Sequence, residues 1–260
     1  MRLREIVEPE HTIHAQDEYQ PSEFSKDQAN QLKVPSGFFS YVDTRKSDPH
    51  EIDVHGYYNV KHESKIIFYK EMSDLMGSNP YMPIVYNIDQ FSYDSESSRF
   101  DFNMERLLSY RQLDNIRRRM ALESVVADLT IDGNCISSDV SRRHKMLPDI
   151  DVETDDENEE QTSHILFMLQ FEICDVIDRA IRNPSILPSR THLSQFCQRL
   201  NKLTKADRQI EQDFHPDNAL FRRTQHGAQF VIADPVVSKD ELTQIKKQES
   251  GDDFGSMASF

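Results

Sequence analysis

Over RFDFNMERL (99–107) the apolar residues Phe100, Phe102 and Met104 alternate with Arg99, Asp101 and Asn103. That period of two predicts a strand with one buried face. Three aromatic and β-branched runs predict further strands: VPSGFFSYVD (34–43), EIDVHGYYNV (51–60) and IVYNIDQFSY (84–93). The first two carry a glycine break, at Gly37 and Gly56. Between them and the fourth strand lies KHESKIIFYKEMSDLMG (61–77), where Ile66, Ile67, Phe68, Met72, Leu75 and Met76 approximate a helical period and Gly77 marks the stop. After residue 107 the period becomes helical. LDNIRRRMALESVVADLTI (113–131) is charged and amphipathic. SHILFMLQFEICDVIDRAIR (163–182) is apolar on most of its circumference and is expected to be the central buried helix. HLSQFCQRLNKL (192–203) puts Leu193, Phe196, Cys197, Leu200 and Leu203 on one face, with Thr191 or Ser189 available as cap. NALFRR and QFVIAD then form two short strands around TQHGA, a hairpin signal. The fold class read from this order is α+β, strands with one helix followed by a helical half and a late hairpin.

The composition of the 260 residues narrows the class. The length suits one domain with a sizeable core. Residues 1–33 read as a polar arm and 244–260 as a flexible tail. Cys135, Cys174 and Cys197 lie far apart, which argues against a disulfide framework or a structural zinc site and suits a reducing compartment. No apolar run reaches the length of a membrane span, and the N-terminus lacks the apolar core of a secretory signal, so a cytoplasmic protein is expected. The net charge of −15 disfavours nucleic-acid binding. Over half of it comes from DIDVETDDENEE (149–160), with 8 carboxylates. The run reads as a solvated, self-repelling loop between two helices. It lacks the central glycine of a calcium loop. An acidic decoy that mimics DNA, or binds a basic partner, is the functional alternative.

The chemistry is concentrated in QDFHPDNALFRRTQHGAQFVIADPVVS (212–238). Asp213 and Asn218 flank a proline, Asn218 opens the first hairpin strand and Asp234 closes the second. A hairpin returns its ends to one place, so Asn218 and Asp234 should converge with Asp213 beside them. Two hard oxygen ligands and a carboxylate base in one pocket suit magnesium held against phosphates.

This pattern resembles the catalytic loop and metal strand of the protein-kinase-like fold, Asp-x-x-x-x-Asn, hairpin, Asp. DFHPDN and IADPVVS look most like the early-gene serine/threonine kinases of podophages, with Asp-x-His-x-x-Asn and a metal Asp followed by Pro. The resemblance implies ATP and Mg2+ as cofactors. It makes Asp213 the base, puts Asn218 and Asp234 on the metal and leaves His215 to shape the loop. It extends weakly upstream. SGFFS, with Gly37, is similar to the hairpin that covers the nucleotide, and FNMERL to the strand entering the hinge, with Glu105 beside the adenine. The implied architecture is two-lobed: a mostly-β N-lobe at 34–107 and a helical C-lobe at 108–243, truncated after the metal-binding strand. Two departures accompany it. EIDV puts Asp53 where the family carries a phosphate-binding Lys, which Lys61 or Lys65 would have to replace, and SGFFS has a single glycine. The implied activity is transfer of the ATP γ-phosphoryl group to Ser/Thr hydroxyls of host proteins, in a host cytoplasm if the chain is viral. The alternative is a pseudokinase that binds and modulates a host protein. The sequence leaves the oligomeric state open.

Overall fold

A computed structural model describes residues 40–43, 51–57, 64–86, 92–94, 99–148, 156–239 and 242–243, all within the unit Ser36–Phe260. The expected arm 1–33 and tail 244–260 lie outside these residues, as do Gly37 and Lys61. The described chain is α+β. The alternating segment is strand β5 (Arg99–Glu105), the centre of a five-stranded antiparallel sheet with β1 (Ser40–Asp43), β2 (Glu51–Tyr57), β3 (Val85–Tyr86) and β4 (Ser92–Asp94). Its order is β1-β2-β5-β3, with β4 also paired to β5. Phe102 and Met104 are buried, as their alternation requires. Gly56 does not break its strand, because β2 runs through it with Gly56 opposite both Ser40 and Phe100. A residue without a side chain still donates and accepts in the ladder.

Helix α1 (Ser64–Glu71) is shorter than its apolar pattern and passes into a 3-10 turn at Ser73–Leu75. Gly77 then adopts φ 73°, a left-handed conformation suited to glycine at a helix stop. Phe68 and Met72 are fully buried, and the Tyr69 ring lies 5.3 Å from that of Phe102, joining α1 to the sheet.

Helix α2 (Asn115–Asp128) starts where the Asp114 carboxylate accepts the Arg117 N–H at 2.8 Å. It buries Ala121, Leu122, Val125 and Val126. Two elements follow that the pattern did not predict: a hairpin of β6 (Thr130–Ile131) and β7 (Asn134–Cys135), and helix α3 (Ser138–His144). Asp132 and Gly133 turn that hairpin with φ 49° and 79°, the paired positive values that Asp-Gly favours. The long helix α4 (Asp156–Arg182) begins inside the acidic run, which corrects the expectation of a loop for residues 156–160. Carboxylates in a first turn are favoured by the helix dipole, so Asp156–Glu160 extends the helix instead of repelling it apart. Residues 149–155 lie outside the described part. Leu166, Leu169, Ile173, Ile177 and Ile181 of α4 are fully buried, but Phe167 and Phe171 are exposed, so the helix is not buried all round. Helix α5 (His192–Ala206) is capped by Thr191, whose hydroxyl accepts the Ser194 N–H at 3.0 Å. Strands β8 (Ile210–Gln212), β9 (Ala219–Thr224), β10 (Gly227–Ile232) and β11 (Val236–Ser238) follow. Among the described residues no helix is long and apolar enough to cross a membrane.

Candidate functional site

The two late strand pairs are nested. β9 pairs with β10 from Thr224↔Gly227 at the tip to Ala219↔Ile232 at the base. β8 pairs with β11 from Gln212↔Val236 to Ile210↔Ser238. Asp213 therefore follows one outer strand and Asp234 precedes the other. The main chain ties them together: the Asp213 N–H donates to the Pro235 carbonyl and the Ala233 N–H to the Asn218 carbonyl, both at 2.9 Å. Between Asp213 and β9, Pro216 opens a 3-10 turn, Pro216–Asn218, after His215 in an extended conformation. The turn aims the Asn218 amide back, and its Nδ2 donates to the Asp213 carbonyl at 2.8 Å. Asp213, Asn218 and Asp234 thus meet at one place, each half-buried. Because Nδ2 is spent on the Asp213 carbonyl, the amide offers Oδ1 to a cation.

Side chains that sequence reasoning did not single out hold this loop. Gln212 Nε2 donates to the Asp178 carbonyl of α4 at 2.7 Å, and buried Gln170, two turns earlier, reaches the Pro216 carbonyl at 3.4 Å. Cys174 lies on the same face of α4. Burial first, and then the charge of Asp217 in the turn, raise its thiol pKa. On the other side Tyr69 of α1 donates its hydroxyl to the Ala233 carbonyl at 2.8 Å, next to Asp234. The Ile232 N–H donates to the Tyr81 carbonyl at 2.9 Å. His215 is exposed, with Nδ1 3.6 Å from the Asp217 carboxylate.

Glu105 is buried at the end of β5 and its carboxylate is engaged. Arg222 of β9 donates Nε to Glu105 Oε2 at 2.6 Å and Nη2 to Oε1, which also accepts the Ile84 N–H at 2.8 Å. The remaining Arg222 donors go to the carbonyls of Pro80 and Met82 and to Gln229 Oε1. Just beyond Glu105, Leu108 and Phe221 exchange two main-chain hydrogen bonds of 2.8 Å. Glu105 and the loop residues are therefore connected through β9, three residues separating Asn218 from Arg222. The only sequence signal for Arg222 is a cation within a strand whose neighbours Ala219 and Phe221 are apolar.

Asp53 takes its register position opposite Asn103 and Asp43, between the pairs Ile52↔Met104 and Val54↔Phe102. The side chain of Lys65 lies outside the described residues, and Glu71 is exposed. Among the described residues no group of three or more His, Cys, Asp and Glu is arranged to hold a metal ion. One carboxylate and one amide oxygen form an incomplete set, which fits a hard cation that brings its other oxygens from phosphate and water. No protein-family model, curated protein or solved structure matches this chain.

Proposed function

We propose that the chain is a phosphotransferase of the two-lobed protein-kinase-like type, taking ATP and Mg2+ and acting on hydroxyl groups of a protein. The observation that carries this reading is the bond from Asn218 Nδ2 to the Asp213 carbonyl, inside a loop whose ends are tied by Asp213 to Pro235 and Asn218 to Ala233. It supports the reading because it holds the main chain at Asp213, at Asn218 and beside Asp234 together, as catalysis by positioning would need. Asn218 and Asp234 would hold Mg2+, and Glu105 marks the strand end beside which the adenine would lie. The bound metal supplies charge neutralisation on the phosphates. Asp213 accepts the proton of the acceptor hydroxyl as its oxygen bonds the γ-phosphorus and the β–γ bridge oxygen departs with ADP. Asp213 is half-buried, so a hydroxyl could reach it.

The test is transfer of labelled γ-phosphate to a Ser/Thr-containing protein mixture. Asp213→Ala is expected to reduce transfer by about 10²–10⁴-fold. Undiminished transfer by that variant overturns the base assignment.

A second reading, a pseudokinase that binds and modulates a host protein without phosphoryl transfer, is favoured by one specific arrangement. Asp53 replaces the expected strand cation, and the donors of Arg222 are spent on Glu105, Gln229 and the carbonyls of Pro80 and Met82. It predicts that Mg-ATP gives little rise in melting temperature and that no phosphate is transferred.

A further inference from the structure

Among the described residues no donor reaches the Asp213 carboxylate. A carboxylate without a partner of its own is aimed by its main chain, so the groups that hold residues 212 to 214 set its direction. Side chains alternate along β8. Ile210 is buried, Glu211 is exposed and Gln212 is half-buried, back on the side of Ile210. After Asp213 the Phe214 side chain is buried. Asp213 therefore stands between two anchored neighbours.

A polar side chain on the inward face of a strand is unfavourable unless its hydrogen bonds are met. Gln212 meets its donors on a single residue of α4: Nε2 lies 2.7 Å from the Asp178 carbonyl oxygen and 2.5 Å from Asp178 Oδ1. Arg182, one turn on, holds the same carboxylate at 3.1 and 3.2 Å, so the acceptor is itself fixed. An apolar residue at 212 would fill the space without fixing an angle, whereas two bonds from one planar amide fix it. Gln170, two turns before Asp178 on α4, reaches the Pro216 carbonyl at 3.4 Å. The arm that carries Asp213 is thus fastened to α4 on both sides of the carboxylate. The arm that carries Asp234 is fastened elsewhere, by the Tyr69 hydroxyl on the Ala233 carbonyl and by the Ile232 N–H on the Tyr81 carbonyl.

We propose that Gln212 and Asp178 are positioning residues for the base. They orient Asp213 from α4, while the metal side of the site is set separately through Tyr69. The proposal rests on the phosphotransferase reading for the role of Asp213, and on the Gln212–Asp178 contact alone for the holding of its main chain.

The full chain carrying Gln212→Leu tests it. The maximal rate of γ-phosphate transfer is expected to fall by about 10–10²-fold. KM for ATP and the Mg2+ concentration for half-maximal rate should stay as in the parent, whereas Tyr69→Phe should raise the Mg2+ requirement. Gln212→Glu keeps the shape but sets acceptors against the Asp178 oxygens, and should lose at least as much. Adding Asp178→Asn to it supplies an N–H and should restore part of the rate. Hydrogen exchange at the Asp213 amide needs no activity. In Gln212→Leu it should quicken by about tenfold or more, with exchange at Ile232 and Ala233 unchanged. The proposal is overturned if the Asp213 amide exchanges as in the parent, if rate, KM for ATP and Mg2+ requirement all move together, or if Asp178→Asn restores nothing. A parent chain that transfers no phosphate overturns the phosphotransferase reading, and a quickened Asp213 amide in that same case retains the holding role of Gln212 and Asp178.

Discussion

Arg222 and Glu105, 117 residues apart, form a two-pronged ion pair whose cation has each of its five N–H donors on an oxygen. The side chains are 17 % and 8 % exposed, so the pair is largely out of water. It fastens three segments at once: the end of β5, the turn at Pro80–Met82 and the β9–β10 hairpin.

Removing one member of such a pair strands the other. Arg222→Ala leaves the Glu105 carboxylate buried without its cation, and is expected to cost about 3–5 kcal/mol in urea unfolding. Glu105→Gln keeps the shape and the Ile84 bond and should cost less. Equal losses for the two variants would show that packing, and not charge, dominates.

Tyr69→Phe removes only the hydroxyl that serves the Ala233 carbonyl. The buried carbonyl then lacks this donor, and a loss of about 1–3 kcal/mol is expected from thermal or chemical unfolding. Under the proposed reading the same variant should also loosen the segment around Asp234, seen as a higher Mg2+ concentration for half-maximal activity.

Asn218→Ala removes the bond to the Asp213 carbonyl and, under the proposed reading, a cation ligand. Stability should fall by about 1 kcal/mol. Mg2+-dependent thermal stabilisation by ATP should shrink far more than that loss explains. An unaltered Mg2+ response would take Asn218 out of the metal set.

Thiol chemistry and alkaline stability test the core. Cys174 and Cys197 are buried, and burial raises both thiol pKa values, with Asp217 adding to the shift at Cys174. Cys135 is half-exposed. In native buffer an aromatic disulfide reagent should react at Cys135 first, and with all three only in denaturant. A folded pKa raised above the unfolded value contributes stability that is fully present below the unfolded pKa and is lost as pH rises toward the folded one. Tyr81, raised first by burial and then by the Asp128 carboxylate, acts in the same direction. Stability should therefore decline above about pH 9–10, where thiols and phenols of the unfolded chain begin to lose protons. A flat profile through pH 10.5 would contradict the burial of these groups.

Much of the secondary structure is legible from local pattern. Phe102 and Met104 declare β5, the Leu193–Leu203 stripe declares α5, and the span from Asn218 to Asp234 declares a hairpin that closes on itself. The convergence of Asn218 and Asp234 follows from that hairpin, whereas Asp213 is brought in by the outer pair β8 and β11, which the local pattern did not announce. What local pattern hides is of two kinds. The β6–β7 turn is signalled by Asp132-Gly133, but strands of two residues carry too little periodicity to register beside a long helix. The bonds from Tyr69, Gln170 and Arg222 join residues 46 to 164 positions apart, and nothing in the neighbourhood of either partner announces the other. The acidic run misleads for a different reason. Composition argues for repulsion, whereas residues 156–160 stand at the start of a helix, where carboxylates are favoured by the dipole.

The Tyr69–Ala233 bond also has a consequence for the order of assembly. Its two ends are 164 residues apart, and a helix synthesised early receives its hydroxyl acceptor only when the last hairpin has been made. Closing so long a loop is entropically expensive until other contacts have shortened it. During synthesis the Tyr69 hydroxyl must therefore stay on water, and the loop bearing Asp213 closes in the same event that completes the late strands. Pulse-labelling hydrogen exchange should find the amides of Ile232 and Ala233 among the last to gain protection.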